Sequence, residues 1–523
     1  MTPSTTPCLR FCTSASCRSR GSEMLRHQCS AIAQRQNDPI IIKGVGCLGP
    51  CSDGPLLAVD AGSSSRLFSL EAADANEFVA HFEHSTPALG GKAWQPKGGT
   101  VFSPNDPFLA FQRRLVLAQC GRLDPESIEE AEREGAYEQL HQVLLTNDPF
   151  AVIEQVRLSG LRGRGGAGYP TGLKWATVAA MPGEHKVLVC NADEGDPGAF
   201  MDRTVMEGDP HTLLEGMAIA AFAVGAQQGI IFVRAEYPLA IDRLHHAIAQ
   251  ARAHGWLGAS IDGTDLVFDI ELRVGAGAYV CGEETALIHS IEGCRGVPRP
   301  RPPYPAERGV KNLPTLINNV ETFANIPVLL RLGLKAYGAG TKVFSLTGHV
   351  QRSGVIEVPM GTPLRTIVET IGGGAKPGHR IKAVQTGGPS GGCVPTNALD
   401  TPVDYESLQA LGTIMGSGGM VVLDDSTNMV DVAAFFVAFC REESCGKCTP
   451  CRSGTVQLDM LLRKLLAGKG GSADLEQLES LCHIVRDASL CGLGQSAPKP
   501  VLSTLRHFRE DYLQLLHNGE VHP

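Results

Sequence analysis

The sequence predicts a multidomain α/β protein with a helical carboxyl-terminal segment, and three observations predict this class. Strand-like apolar runs at residues 186–190 and 230–233 alternate with helical stretches at 212–225 and 239–254, a pattern typical of layered α/β architectures. Near residue 343 the pattern changes to short alternating strands with one helix at about residues 363–370, which indicates a small β-grasp module. From about residue 431 onward the pattern is helical.

Length and composition limit the classes of function. A chain of 523 residues, 43% hydrophobic and 19% charged, is typical of a soluble protein with several domains. The net charge of -9, without a long Lys/Arg block, argues against binding to nucleic acid or an anionic membrane. The apolar stretches are shorter than the roughly 18 residues of a spanning helix, so we expect no direct membrane insertion. Seventeen cysteines without a secretory leader favour a reducing compartment, and we expect a cytoplasmic protein.

The first segment, residues 1–84, carries two cysteine pairs, Cys12 with Cys17 and Cys47 with Cys51. The β-type runs 40–43 and 56–59 flank the second pair. Two pairs on neighbouring loops suit a [2Fe-2S] cluster held by four thiolates, and the predicted ligands are Cys12, Cys17, Cys47 and Cys51. A zinc ribbon is the alternative at this spacing. Cys8 and Cys29 lie close enough in sequence for either to replace one ligand. Residues 85–147, with a helical patch at 124–142, are interpreted as a connection with little chemistry of its own.

A loop at residues 160–175 contains six glycines and the basic residues Arg162, Arg164 and Lys174. Glycines free backbone N–H groups to face an anion, so the loop predicts a phosphate or pyrophosphate site. It formally contains G-x-G-x-x-G, but Pro170 interrupts the helix that a Rossmann turn should open, so this fingerprint is not taken at face value. A plain glycine-rich surface loop is the alternative.

A second polar segment, residues 190–198, follows a buried strand and places Asn191, Asp193 and Glu194 at the carboxyl end of that strand. Ligands of α/β sheets bind at this edge, and acidic groups there suit ribityl hydroxyls or ring N–H donors. A solvated turn is the alternative interpretation.

The glycine-dense loop at residues 274–285 ends in the adjacent carboxylates Glu283 and Glu284. They either cap the helix that follows or accept ribose hydroxyls. The proline-rich run at residues 298–305 is either a polyproline linker or, through Arg301 and Tyr304, a wall of a nucleotide pocket.

Near the carboxyl terminus the run C-x2-C-x2-C is followed by one remote cysteine. This spacing sets three thiolates about one turn apart and lets the fourth close a cubane. Zinc sites usually present thiolates in pairs, which a third cysteine two residues on would spoil. The pattern therefore predicts a [4Fe-4S] cluster held by Cys445, Cys448, Cys451 and Cys491.

Five motifs in one order, GLRGRGGAGYPTGLKW, NADEGDPG, GAGAYVCGEETAL, TLINNVET and ESCGKCTPCRSG with SLCGLG, resemble the flavin-bearing NADH dehydrogenase subunit of respiratory complex I. They also resemble its soluble relatives, the diaphorase subunits of NAD-dependent formate dehydrogenases and NAD-reducing hydrogenases. The first segment, with GCLGPC, resembles the thioredoxin-like [2Fe-2S] domain of the neighbouring complex I subunit. The resemblance implies a thioredoxin-like ferredoxin domain at 1–84, the connection at 85–147, a Rossmann-like FMN- and NAD-binding domain at 148–336, a β-grasp (SLBB) domain at 337–430 and a helical [4Fe-4S] domain at 431–523.

The resemblance implies hydride transfer between NAD(H) and FMN, with electrons then passing singly to the iron-sulfur clusters. FMN contacts carried over residue by residue are Gly163, Arg164, Gly165, Gly166, Lys174, Asn191, Asp193, Glu194, Tyr279, Gly282, Glu283, Asn318 and Asn319. The implied NAD contacts are Tyr169, Asp196, Glu284, Arg301 and Tyr304. Tyr169 and Tyr304 stand where phenylalanine is usual, Arg301 where lysine is usual, and Thr177 where an aromatic residue often helps to hold adenine.

The implied partners are a large catalytic subunit and a small iron-sulfur subunit. The fused first domain argues against an ordinary complex I subunit, and missing carboxyl-terminal ferredoxin cysteines argue against a bifurcating hydrogenase. We expect the alpha subunit of a molybdenum or tungsten formate dehydrogenase as the large partner, with a hydrogenase as the alternative. A different class of function is a non-catalytic iron-sulfur scaffold or adaptor that uses the β-grasp module and has a silent flavin site.

Overall fold

A computed structural model describes residues 6–36, 40–61, 64–84 and 96–519. Within these ranges the chain forms three β-sheets and a carboxyl-terminal group of helices, which confirms the multidomain α/β class. Parts of the predicted domains, at residues 1–5, 85–95 and 520–523, lie outside the described residues. None of the helices in the described ranges is long and apolar enough to cross a membrane.

The first sheet has the strand order β2-β1-β3-β4-β5, with β1 and β2 parallel and the other pairs antiparallel. A parallel pair joined by helices and followed by a hairpin is the thioredoxin-like arrangement. Its elements are β1 (Cys8–Cys12), α1 (Ala15–Arg18), α2 (Ser22–Gln36), β2 (Ile41–Val45), β3 (Leu56–Ala61), β4 (Ser64–Ser69), α3 (Ala72–His84) and β5 (Val101–Phe102). The sheet extends past the predicted boundary at residue 84, because Phe102 pairs with Leu67 and is buried in the same hydrophobic cluster.

The connection contains α4 (Pro107–Ala110), α5 (Ile128–Arg133) and α6 (Glu138–Thr146). The predicted helical patch at 124–142 is thus two helices, separated at Tyr137, whose backbone is left-handed with a φ of 64°. Tyr137 and Ile128 are completely buried, and both belong to the core of the next domain. The connection is therefore part of that core, held by its apolar side chains.

The second sheet has the order β8-β7-β6-β9 and is entirely parallel. Helices surround it, as the alternating sequence pattern predicts. The elements are α7 (Pro149–Leu158), α8 (Thr171–Ala179), β6 (Val187–Ala192), α9 (Met201–Gly208), α10 (Pro210–Val224), β7 (Gln228–Arg234), α11 (Pro238–Ala253), β8 (Asp269–Gly275), α12 (Glu284–Ile291), β9 (Thr315–Asn319) and α13 (Val320–Tyr337). The strand order reverses between β6 and β9, and ligands of such sheets bind outside the strands at that point.

The third sheet forms the β-grasp domain, with the order β11-β10-β14-β12-β13. Its elements are β10 (Thr341–Gly348), β11 (Gly354–Pro359), β12 (Ile381–Thr386), β13 (Gly392–Pro395), α14 (Tyr405–Ala410) and β14 (Gly419–Asp424). The predicted helix at 363–370 is a wide π-type turn at Thr366–Ile371. Gly166 of the glycine-rich loop forms a β-bridge with Gly416, which joins this domain to the second one.

The carboxyl-terminal helices are α15 (Met429–Glu442), α16 (Thr449–Leu466), α17 (Ser472–Ala488), α18 (Gly492–Ser496), α19 (Lys499–His507) and α20 (Arg509–Gly519). Leucines and valines of these helices form a separate core. The short α18 packs against α16 and α17, which brings the loops before α16 and α18 together.

The thioredoxin-like domain docks on the second domain through two glycines. A β-carbon placed on Gly46 would lie 2.5 Å from the Cα atom of Gly208 at the end of α9. Nearby, the guanidinium of Arg243 donates to the hydroxyl of Thr13 at 2.6 Å. The two domains therefore meet backbone to backbone.

Candidate functional site

The glycine-rich loop joins α7 to α8, so it follows a helix and not a strand. The N–H of Gly163 donates to the carbonyl of Tyr169 at 2.9 Å, which closes the loop, and α8 begins directly after Pro170. The loop is therefore not the strand-to-helix turn of a Rossmann fingerprint. A β-carbon on Gly165 would lie 2.9 Å from the Cβ atom of Asn319, so the loop rests on the carboxyl end of β9.

Three predicted asparagines meet where the strand order reverses. Asn191 of β6 is paired in register with Asn319 of β9, and Asn318 precedes it. The amide of Asn191 donates to the carbonyl of Gly282 at 3.0 Å, and the indole N–H of Trp175 donates to Asn318 at 2.9 Å. The structure thus brings the glycine loop, both strand ends and the 274–285 loop together at one edge.

Asp193 is buried at this edge, with a side chain only 1% exposed. Neither of its carboxylate oxygens has a hydrogen-bond partner, and the guanidinium of Arg234 is 3.6 Å away. Burial raises the pKa of Asp193 to about 7. A buried acceptor without a donor is costly, so this carboxylate fits a ligand that supplies N–H or O–H donors, as a flavin ring or ribityl chain does.

Two predicted flavin contacts direct their side chains elsewhere. The carboxylate of Glu194 accepts the N–H groups of Asp202 at 2.9 Å and Arg203 at 3.0 Å, so it binds the first turn of α9. The guanidinium of Arg164 is buried beside Tyr405, and its Nε and one terminal nitrogen have no partner. Strand-end and loop positions were evident in the sequence, but side-chain directions were not.

The converging loops and strand ends form the candidate ligand site, which we call the switch-point pocket. A chain of ion pairs lies beside it. Lys174 is 2.6 Å from one oxygen of Glu284, and Arg301 is 3.3 Å from the other. Arg301 also contacts Glu283 at 2.9 Å. The second oxygen of Glu283 accepts the N–H of Ala286 at 2.9 Å, so the capping interpretation is confirmed for this residue.

The two tyrosines predicted to contact the nucleotide are about half exposed, Tyr169 at 48% and Tyr304 at 53%. Their rings are therefore available for stacking. The third predicted contact, Asp196, accepts hydrogen bonds from the hydroxyls of Tyr279 at 2.8 Å and Ser417 at 2.6 Å.

The four carboxyl-terminal cysteines line one cavity, which encloses about 260 Å³ of empty space, part of it open to solvent. Cys448 is the residue before α16, and Cys491 is the residue before α18. The positive ends of the helix dipoles favour thiolates and an anionic cluster at these positions. The cavity is lined by Val280, Pro298, Ser444, Cys445, Lys447, Cys448, Cys451, Leu490, Cys491 and Leu493.

One four-residue turn, Tyr279–Gly282, separates the pocket from this cavity. Gly282 accepts a hydrogen bond from Asn191 on the pocket side, and Val280 lines the cysteine cavity on the other. The N–H of Tyr279 donates at 2.9 Å to Glu443, two residues before Cys445. The two sites thus share a wall.

The thioredoxin-like domain brings its four predicted ligands together. The thiol of Cys12 is within hydrogen-bonding reach of Cys17 and Cys47, and the sulfur of Cys47 is 3.4 Å from that of Cys51. Cys8 begins the strand that Cys12 ends, about 13 Å away. Cys29 is completely buried among apolar residues of α2 and its neighbours. Neither alternative ligand lies with the four.

The sulfur spacing bears on the zinc alternative. Four thiolates on one tetrahedral zinc ion at about 2.3 Å lie about 3.8 Å from one another. Among the described residues, three His, Cys, Asp or Glu ligand atoms lie within 4.8 Å of one another only at His379, Asp424 and Asp425. No three sulfurs of either cysteine set therefore come that close together, although Cys47 and Cys51 are 3.4 Å apart.

Several residues around the pocket were not predicted. Glu443 holds the Tyr279–Gly282 turn, Arg234 is the cation nearest Asp193, and Ser390 and Ser417 reach the pocket from the β-grasp domain. Glu443 is the first residue of the motif ESCGKCTPCRSG, and its place in that motif is the one sequence signal that pointed to it.

Together, the group of polar side chains at the strand ends and the carboxyl-terminal cysteine cavity define an iron-sulfur flavoprotein of the oxidoreductase class. The sequence model described as Nuo51 FMN-binding domain matches residues 156–328. The model described as SLBB domain matches 343–394, and that described as NADH-ubiquinone oxidoreductase-F iron-sulfur binding region matches 431–515.

Curated proteins and solved structures are similar over most of the chain. NADP-reducing hydrogenase subunit HndC of Solidesulfovibrio fructosivorans is 53% identical over 77% of this chain and 83% of its own. An NADH-quinone oxidoreductase subunit of Rhizobium meliloti is 45% identical over 72% and 92%. A crystal structure of NAD+-reducing [NiFe]-hydrogenase in the H2-reduced state is 32% identical, with a TM-score of 0.68 over 99% of this chain and 85% of that one. The chain belongs to the family of NADH dehydrogenase flavoproteins that contain FMN and iron-sulfur clusters.

Proposed function

We propose that the chain is the diaphorase subunit of a multi-subunit oxidoreductase and exchanges hydride between NAD(H) and FMN. The observation that carries this proposal is the Tyr279–Gly282 turn, which contacts the switch-point pocket on one side and the cysteine cavity on the other. FMN, when bound, supplies the two-electron acceptor that passes electrons on singly. The protein supplies position and electrostatics.

FMN would be held by four segments that converge on the pocket. Backbone N–H groups of the glycine loop suit its phosphate, and the unpaired carboxylate of Asp193 suits donors of the ring or ribityl chain. Lys174 adds a positive charge beside the pocket. The proposed contacts are Gly163, Arg164, Gly165, Gly166, Lys174, Asn191, Asp193, Glu194, Tyr279, Gly282, Glu283, Asn318 and Asn319.

NAD(H) would enter between the exposed rings of Tyr169 and Tyr304. Stacking and cation contacts orient a nicotinamide nucleotide without a nucleophile or a dedicated base. Asp196, Glu284 and Arg301 complete the proposed nucleotide contacts. Because Glu284 already forms ion pairs with Lys174 and Arg301, a bound nucleotide would have to compete with these ion pairs.

Two clusters would carry the electrons away. Cys445, Cys448, Cys451 and Cys491 are the proposed ligands of a [4Fe-4S] cluster, and Cys12, Cys17, Cys47 and Cys51 those of a [2Fe-2S] cluster. Helix α9 runs between the pocket and the second set, since Glu194 binds its first turn and Gly208 at its end contacts Gly46. Eight residues of helix span about 12 Å.

The function is tested on purified protein with its cofactors. We expect a visible spectrum with flavin absorption above the iron-sulfur bands, and NADH-dependent reduction of an artificial acceptor. Cys448→Ala should retain reduction of the flavin by NADH and lose most of the onward electron transfer. A protein that holds iron but no flavin would instead support the non-catalytic scaffold, the alternative class of function.

For the large partner we propose the alpha subunit of a molybdenum or tungsten formate dehydrogenase, together with a small iron-sulfur subunit in the cytoplasm. The fused thioredoxin-like domain supports this choice, and seventeen unpaired thiols support a reducing compartment. A hydrogenase is the second candidate, favoured by the names of the hydrogenase relatives described above. Identification of the large subunit that co-purifies from the native source separates the two.

A further inference from the structure

Two domains meet at the carboxylate of Asp196. The hydroxyl of Tyr279 donates to one carboxylate oxygen at 2.8 Å, and the hydroxyl of Ser417 donates to the other at 2.6 Å. Asp196 and Tyr279 belong to the second domain, whereas Ser417 comes from the loop before β14 of the β-grasp domain. Both oxygens of a proposed nucleotide contact are therefore held before any ligand arrives.

The hydroxyl chain continues beyond Tyr279. Ser390, also of the β-grasp domain, lies 3.2 Å from the Tyr279 hydroxyl, and the hydroxyl of Ser496 in α18 lies 2.9 Å from Ser390. Because Tyr279 gives its proton to Asp196, its oxygen accepts from Ser390. The single proton of Ser496 has a closer acceptor in the carbonyl of Gly492 at 2.6 Å. The directed part of the chain therefore runs from Ser390 through Tyr279 to Asp196.

Packing leaves this group little freedom. A β-carbon on Gly388 would lie 2.7 Å from the Cγ atom of Asp196, so the β-grasp backbone closes over the carboxylate. The ring of Tyr279 packs edge-on against Phe439 with centroids 5.1 Å apart. The residue as a whole is nevertheless only partly buried.

We propose that Ser417 and Ser390 are positioning residues of the nucleotide site, through which the β-grasp domain fixes the carboxylate of Asp196 and the ring of Tyr279. This inference rests on the proposed function, because it assigns the purpose of the two contacts to NADH binding. With this role the β-grasp domain takes part in the reaction without binding a ligand itself.

The hydroxyl donors also affect the pKa of Asp196. Burial raises the pKa of Asp196, whereas the hydrogen bonds from Ser417 and Tyr279 and the nearby Arg234 lower it. Asp193 is the other carboxyl group that interacts with it. Without the Ser417 hydroxyl, the carboxylate loses one donor that stabilises its charged form.

The test uses holoprotein with its flavin and iron content verified. For Ser417→Ala we expect the KM for NADH to rise about tenfold with little change in kcat, since a hydrogen bond to a charged group is lost. The acid limb of the kcat/KM profile should move to higher pH. Ser417→Thr, which keeps the hydroxyl, should restore both. Ser390→Ala should change KM in the same direction by a smaller factor.

Ser345→Ala is the matched control, because Ser345 joins the same two domains by donating to the carbonyl of Gly198 at 2.7 Å without touching Asp196. It should leave KM and the pH profile unchanged. Flavin-replete Ser417→Ala and Ser390→Ala proteins with wild-type KM and pH profile would overturn the positioning role while leaving the proposed function intact. Wild-type holoprotein that does not oxidise NADH would overturn both.

Discussion

Asp193 is buried without a hydrogen-bond partner on either carboxylate oxygen. The sequence predicted its place, because polar residues after a buried strand lie at the ligand edge of an α/β sheet. The neighbouring Glu194 follows the same strand, yet its carboxylate binds α9. No periodicity distinguishes the two residues, since side-chain direction is decided by the helix that packs behind them.

Substitution of Asp193 by asparagine should stabilise the FMN-free protein at high pH. The unfolded chain ionises an aspartate near pH 4, whereas the folded chain holds the proton to about pH 7, so the wild type loses stability as the pH rises between these values. We expect the Tm advantage of Asp193→Asn to be larger at pH 8 than at pH 5.5, with weaker FMN binding. Asp265→Asn, at an exposed aspartate, is the control. An advantage independent of pH would contradict this assignment.

The ligand assignment of the proposed two-iron cluster can be tested by iron content. Cys12→Ala should lose about two irons per chain, because its thiol is one of four that lie together. Cys8→Ala, at the other end of the same strand, should retain them. Iron analysis and the reduced-state EPR signal measure both, and loss of iron in Cys8→Ala alone would reverse the ligand assignment.

The glycine loop forms a segment whose shape depends on the β-grasp domain. Gly168 has a φ of +62°, and a β-carbon on it would lie 2.5 Å from the ring of Tyr405. The hydroxyl of Tyr405 also donates to the carbonyl of Gly163 at 2.9 Å. The sequence indicated a loop that binds anions, but not that a tyrosine some 240 residues later would support it. Contacts of such separation leave no local pattern.

Gly168→Ala should therefore weaken FMN binding and lower the apparent Tm. Gly160→Ala is the matched control, since Gly160 has a φ of +68° in the same segment but nothing within 4 Å of its β-carbon position. Backbone strain alone costs about 1–3 kcal/mol, and only Gly168→Ala adds the clash with Tyr405. Equal FMN affinity in the two variants, measured by flavin fluorescence, would show that Tyr405 does not shape the loop.

The domains are joined by buried polar contacts as well as by backbone packing. Lys342 of β10 and Glu321 of α13 form an ion pair in which both side chains are at most 1% exposed. The second oxygen of Glu321 accepts the N–H of Val343 at 2.9 Å. The fold class followed from periodicity, whereas the order of the domains was implied by the family resemblance of the motifs. This ion pair did not, because charged residues in sequence are usually solvated.

Lys342→Met should destabilise the protein by about 3–5 kcal/mol, because it leaves the charge of Glu321 buried and unpaired. The double variant with Glu321→Gln should recover part of the loss. Arg365→Met, which breaks exposed pairs with Glu369 and Asp400, should change the unfolding midpoint in urea very little. A single variant as stable as the wild type would contradict this role of the ion pair.

The contact between Gly46 and Gly208 has a consequence for how this enzyme can change. With no side chain on Gly46, the backbone of the amino-terminal module lies directly against that of Gly208. A side chain at Gly46 would act as a spacer and lengthen the proposed electron path, whereas one at Gly208 would first meet the sulfur of Cys120. Drift in sequence at Gly46 would therefore insulate the proposed [2Fe-2S] centre from the other proposed centres, while every proposed ligand remained in place.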